Sequence, residues 1–128
     1  MHTGNHWVTI SNVNNNPNYF YIYDSLLDIR ESTLANIKPT IRQLFSTHFY
    51  NCNFFIINNS QQQSNGNDCG LFSLAFAEKL VEKKNPLAFS FKNLRHYFNY
   101  CADKLEIGYF AGDHIFPIPS PIISKVNF

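Results

Sequence analysis

Cys69 is the residue on which chemistry would turn. It stands in the run Gln63-Ser64-Asn65-Gly66-Asn67-Asp68-Cys69-Gly70, a polar stretch punctuated by glycine, and an apolar helical pattern starts directly after it at Leu71. A thiol at a helix N-terminus faces unpaired backbone N–H groups and the positive end of the macrodipole, an environment that suits a thiolate. A nearby amide side chain, together with those N–H groups, can hold an oxyanion. Upstream stand His6, in His6-Trp7-Val8-Thr9-Ile10, and Asp24, in Tyr21-Ile22-Tyr23-Asp24-Ser25. Cysteine attack on an acyl carbon needs a thiolate, an imidazole to share the proton, and a group that holds the imidazole in its tautomer. These residue types together point to a thiol hydrolase.

The elements that must position them can be read from periodicity. His6 to Ser11 alternates polar and apolar residues, which predicts a strand. Residues 13–18, rich in asparagine with Pro17, are turn chemistry, and Tyr19 to Tyr23 is an aromatic and β-branched run that predicts a second, antiparallel strand. His6 opens the first strand and Asp24 closes the second, so a hairpin would set the two side by side. Ser32 to Phe45 carries Leu34, Ile37, Ile41, Leu44 and Phe45 at helical spacing, with Pro39 inside the pattern as a kink or a restart. Asn53 to Asn58 predicts a buried strand and Asn59 to Asn67 a polar loop.

Asp68 is a plausible N-cap for the helix that follows. The apolar positions of that helix run nearly all round its first turns, which predicts the central, most buried helix of the domain. Lys83-Lys84-Asn85-Pro86 would stop it. Phe91 to Lys104 is expected to form a further amphipathic helix, with Leu94, Tyr97, Phe98 and Cys101 on one face. The proline-rich stretch Ile115 to Pro121 is expected to lie extended over the surface. The whole reads as one α+β domain, with a small antiparallel-containing sheet packed on the helix that starts at Cys69.

Bulk properties narrow the function classes. A chain of 128 residues suits one core, and 45% hydrophobic and 16% aromatic content argues for a folded domain. A formal net charge of +1 leaves no electrostatic footprint for nucleic acid or an anionic membrane, so neither is expected as a partner. No apolar run approaches the roughly 20 residues of a membrane span, and the N-terminus lacks a signal-peptide pattern. Cys52, Cys69 and Cys101 are odd in number and widely spaced, a poor disulfide framework that suits a reducing, intracellular compartment, nuclear or cytoplasmic. No Cys-x-x-Cys pair starts a zinc site, and no metal or other cofactor is expected.

Taken singly, each candidate has an ordinary reading: a histidine satisfied beside an aromatic, an aspartate at a strand end, a small buried cysteine. Their joint order carries more. His6-Trp7, Tyr23-Asp24-Ser25 and Gln63 through Gly70 resemble the motifs of the Ulp1/sentrin-specific protease family of cysteine peptidases, in which the order is His, Asp, Gln, Cys. There the glutamine stands six residues before the cysteine, and Gln63 satisfies that spacing. The resemblance runs from His6 to about Tyr100. It implies a papain-like fold and cleavage after the Gly-Gly terminus of a ubiquitin-like modifier (SUMO, NEDD8 or ubiquitin, SUMO-type foremost), in a precursor or at an isopeptide bond. It also implies roles: Cys69 as nucleophile, His6 as general base and acid, Asp24 orienting the imidazolium, and Gln63 with the Cys69 backbone N–H holding the oxyanion. Trp7 matches the tryptophan that walls the channel for the glycine tail.

Only five residues precede His6, whereas family catalytic domains carry a substantial region there that supplies much of the modifier-binding surface. The chain thus resembles the C-terminal, catalytic part of the family, with the upstream substrate-binding part absent. Three functions fit. One is a ubiquitin-like-protein peptidase, favoured by the intact set of four residues. A second is a remnant acting as a ubiquitin-like-protein binding module, favoured by the missing upstream part. The third, acyl transfer by the same thiol, ranks lowest because no acetyl-CoA or phosphate site is apparent.

Overall fold

The computed structural model describes residues 1, 6–12, 16–26, 31–45, 51–64, 66–92, 94–96, 99 and 112–127, with the backbone alone at helix positions 31–33 and 45. Its main sheet holds four strands: β1 (Thr9–Ser11), β2 (Tyr19–Tyr23), β3 (Asn53–Ile57) and β6 (Ile123–Val126), in the order β1-β2-β3-β6. β1 and β2 form the expected antiparallel hairpin, with Thr9 opposite Tyr23. β2 and β3 run parallel, Phe20 beside Phe54 and Ile22 beside Ile56. A parallel pair needs a crossover, and α1 (Glu31–Phe45) supplies it. Strand β6 then pairs antiparallel with the far edge of β3.

The continuous apolar run Phe54-Phe55-Ile56-Ile57 follows from its place inside the sheet, where both faces are covered. On one face Phe20, Ile22, Phe54, Ile56 and Val126 pack with Val8 and with Ile37 and Ile41 of α1. On the other, Tyr23 and Ile57 pack with Phe72, Ala75, Phe76 and Leu80 of α2 (Cys69–Val81). Alternate residues of each strand thereby serve opposite cores.

Several expectations change in detail. The first strand is shorter than expected: it starts at Thr9, and before it Val8 exchanges backbone hydrogen bonds with Met1 (2.8 and 2.5 Å). Pro39 lies inside a helix that runs unbroken from Glu31 to Phe45, and Leu44 is exposed because the buried stripe passes through Ile37 and Ile41 instead. In α2, Leu74 and Val81 face solvent while Lys79 is buried, its Nζ 4.7 Å from the Phe89 ring centroid and 3.6 Å from the Glu82 carboxylate. The long stem of Lys79 covers apolar surface while its cation finds a π face and an anion.

Phe91 opens no helix. Phe-Ser-Phe alternates with period two, and it forms β4 (Phe89–Phe91), paired antiparallel with β5 (Gly112–His114). Helix is described at residues 94–96 and at Asn99, with Leu94 buried; Tyr97, Phe98, Cys101 and the rest of the expected helix lie outside the described residues. Residues 115–122 carry no regular element, with Phe116 and Ile118 exposed, as the proline spacing predicted. The strand that follows them, β6, was not expected.

Candidate active site

The end of the β1–β2 hairpin sets His6 against Asp24: His6 Nε2 lies 2.6 Å from Asp24 Oδ1. A carboxylate only accepts, so Nε2 carries the hydrogen and Nδ1 is the nitrogen left to handle a proton elsewhere. Asp24 is fully buried and His6 nearly so. The same Oδ1 accepts from the Leu26 backbone N–H at 2.9 Å. Among the described residues Asp24 Oδ2 has no hydrogen-bond partner, so the carboxylate is held through one oxygen.

The backbone of Asp24 is clamped from the loop after β3. Ser60, also fully buried, accepts from the Asp24 N–H at 3.1 Å, and its hydroxyl lies 2.8 Å from both the Asp24 and Ile57 carbonyl oxygens. One residue on, the Ser25 carbonyl accepts from the N–H groups of Gln62 and Gln63 at 3.0 and 2.8 Å. The Ser25 hydroxyl donates to Gln63 Oε1 at 2.6 Å. Two chain segments, 24–25 and 60–63, are therefore zipped together, one carrying the carboxylate and the other the buried amide.

Cys69 is the first residue of α2 and is buried. Asp68 precedes it but makes no side-chain cap. Its backbone angles (φ −104°, ψ 13°) are not the extended ones that turn an N-cap oxygen onto the helix. Its carboxylate instead takes a hydrogen bond from Arg95 Nη2 at 2.6 Å, while its carbonyl accepts from Phe72 N–H. The first turn of α2 itself holds no acidic residue, and the Asp68 carboxylate just before it is engaged by Arg95.

Trp7 stands over this turn. A Cβ on Gly70 would lie 3.5 Å from Trp7 Cδ1, so the indole packs against the glycine next to Cys69. Thr9 Oγ1 donates to the Ser73 carbonyl at 2.7 Å and fastens β1 to α2. Between them runs an open groove of about 780 Å³, lined by Trp7, Thr9, Asn67, Cys69, Gly70 and Leu74 among others. The structure thus brings His6 to Asp24, Gln63 to Ser25 next to Asp24, and Trp7 to the helix turn that carries Cys69. Sequence reasoning gave no positioning role to Ser25, Ser60 or Gln62, because a single serine or glutamine at a strand end or in a loop carries no periodic signal of burial.

A mixed sheet between two helices, with a thiol at the start of one helix, has the architecture of a papain-like α+β domain. The model of the C-terminal catalytic domain of the Ulp1 protease family matches residues 1–106, and the chain belongs to that family of cysteine peptidases, which act on ubiquitin-like modifiers. His6, Trp7, Asp24, Gln63 and Cys69 all fall inside the matched stretch, and β5 and β6 fall beyond it. No match was found among curated proteins or among solved structures.

Proposed function

We propose that this chain is the catalytic part of a thiol peptidase that cleaves after the C-terminal Gly-Gly of a ubiquitin-like modifier, SUMO-type foremost, with Cys69, His6 and Asp24 as its triad. The observation that carries the reading is the buried 2.6 Å contact of His6 with Asp24 in a chain whose Cys69 opens a helix. In this reading α2 is the central helix of the domain, and residues 1–128 act as one unit. The odd, scattered cysteines support work in a reducing compartment, the nucleus or cytoplasm.

Cys69 passes its thiol proton to His6 Nδ1, and the resulting thiolate adds to the carbonyl carbon of the terminal glycine, forming a C–S bond and pushing the π electrons onto oxygen. Gln63 and the Cys69 backbone N–H hold that oxyanion. Collapse of the adduct expels the amine, which takes a proton from His6 and leaves a thioester. Water then attacks the thioester carbon as His6 removes its proton, the C–S bond breaks, and the modifier leaves with a free carboxylate. Asp24 keeps Nε2–H oriented throughout, so that Nδ1 is the nitrogen that gives and takes the proton. Trp7 lines the open groove beside Cys69 as a wall along which the glycine tail lies.

Turnover tests this reading. The protein and its Cys69→Ala variant are offered SUMO, NEDD8 and ubiquitin carrying a fluorogenic amide at the C-terminus. Release of the fluorophore from at least one by the wild type, and none by the variant, is expected. Trp7 is the chain's one tryptophan, so docking of the tail should also change the intrinsic indole emission. Well-folded protein that binds a modifier but releases nothing from any of the three would instead indicate a binding module.

A further inference from the structure

We propose that Ser25 is a positioning residue for Gln63, fixing which end of its amide faces the reaction; the proposal rests on the peptidase reading above. An amide side chain can stabilise an oxyanion only through its NH₂ group. Flipped by a half-turn, it would present a carbonyl oxygen and repel the developing charge. Its two ends have nearly the same shape, so packing alone does not choose between them.

In the structure the Ser25 hydroxyl meets the carbonyl end of the amide and takes the donor's part. It donates to Gln63 Oε1 at 2.6 Å, which commits the carbonyl to Ser25 and turns Nε2 to the other branch of the amide. Ser25 is itself held firmly, being only 2% exposed. Its carbonyl takes the Gln62 and Gln63 N–H groups, and the Asp24 N–H before it is bound to Ser60. The loop is pinned from the opposite side as well: the Gln62 side chain donates to the Phe89 carbonyl at 2.9 Å and accepts from Phe91 N–H at 3.0 Å. Gln63 therefore has its backbone fixed by Ser25 O and its side-chain tip fixed by Ser25 Oγ. A donor pre-oriented in this way needs no reorganisation as the oxyanion forms. Because Ser25 directly follows Asp24, one dipeptide holds both the carboxylate that orients the imidazole and the hydroxyl that orients the oxyanion donor.

A double-mutant cycle tests the proposal on any fluorogenic modifier that the wild type cleaves. Gln63→Ala should lower kcat by about 10²–10³-fold. Ser25→Ala should lower kcat by about 10-fold with KM nearly unchanged, the pattern of an interaction made in the transition state. The double variant should be no slower than Gln63→Ala alone, since Ser25 acts through the amide. An unchanged kcat in Ser25→Ala, or the same further loss in the Gln63→Ala background, overturns the proposal. A second measurement needs no turnover: the side-chain NH₂ resonances of Gln63, identified by their loss in Gln63→Ala. In Ser25→Ala these protons should exchange with solvent at least about tenfold faster as the amide is released. Unaltered exchange would refute the lock even if Cys69 proved inert, while inert Cys69 with faster exchange would count against the peptidase reading alone.

Discussion

Gln61, Gln62 and Gln63 are chemically identical neighbours in three different settings. Gln61 is exposed, Gln62 reaches across to the backbone of β4 through both ends of its amide, and Gln63 is buried against Ser25. Local propensity treats the three alike, so only the six-residue spacing to Cys69 singled out Gln63, and nothing in the sequence marked Gln62 as the loop's anchor. Replacing Gln62 with Ala leaves the Phe91 N–H and Phe89 carbonyl without their partner and should cost about 1–3 kcal/mol by urea unfolding, whereas Gln61→Ala should stay within about 0.5 kcal/mol. Asp24 offers a cleaner separation of fold from chemistry. Asp24→Asn keeps the shape and an oxygen for the Leu26 N–H but removes the charge that holds His6 Nε2–H. A kcat loss of about 10²–10⁴-fold is expected in steady-state assays, with the protein still folded.

Secondary structure was legible where one period dominated and misread where two competed. The β1–β2 hairpin, α1 and β3 follow their patterns to within a residue or so at most ends. In the Phe91 region a helical stripe and a two-residue alternation overlapped, and pairing with β5 settled it as strand. The end of α2 shows a different limit. Lys83 adopts φ 60°, its N–H bonding the Leu80 carbonyl and the Lys84 N–H bonding the Lys79 carbonyl, which is the Schellman closure. The cluster of lysines signalled a helix stop, yet not that a non-glycine residue would take the left-handed position. That conformation costs a residue with a Cβ about 1 kcal/mol. Lys83→Gly should therefore stabilise the fold by up to about 1 kcal/mol, read as a higher melting temperature with activity unaltered.

Across the whole molecule, the sheet depends on residues that the functional motifs never touch. β6 lies beyond the stretch matched to the family, yet it covers the edge of β3 and adds Val126 to the core shared with α1. Its short, largely exposed run Ile-Ser-Lys-Val after a proline-rich segment carried no pattern strong enough to predict a strand, because its partner lies about seventy residues earlier. The opposite core, shared with α2, contains Tyr23, whose hydroxyl is pushed above its ordinary pKa of 10.0 first by burial and then by neighbouring Tyr21. The unfolded chain thus releases this proton at a pH where the native fold still keeps it. Stability is fully held below pH 10 and falls as pH rises through the native value. Tyr23→Phe should make that alkaline fall shallower, as urea midpoints measured from pH 9 upward would reveal.

In the peptidase reading, Cys69 Sγ is the atom that meets a modifier's C-terminus. SUMO, NEDD8 and ubiquitin bearing a thiol-reactive group in place of the terminal carboxylate would be incubated with the folded protein and with Cys69→Ala, and adducts mapped by peptide mass. A single covalent adduct with at least one modifier, on Cys69 and lost in the variant, is expected. An adduct on Cys52 or Cys101 that persists in the variant, or none with any modifier, would contradict that reading.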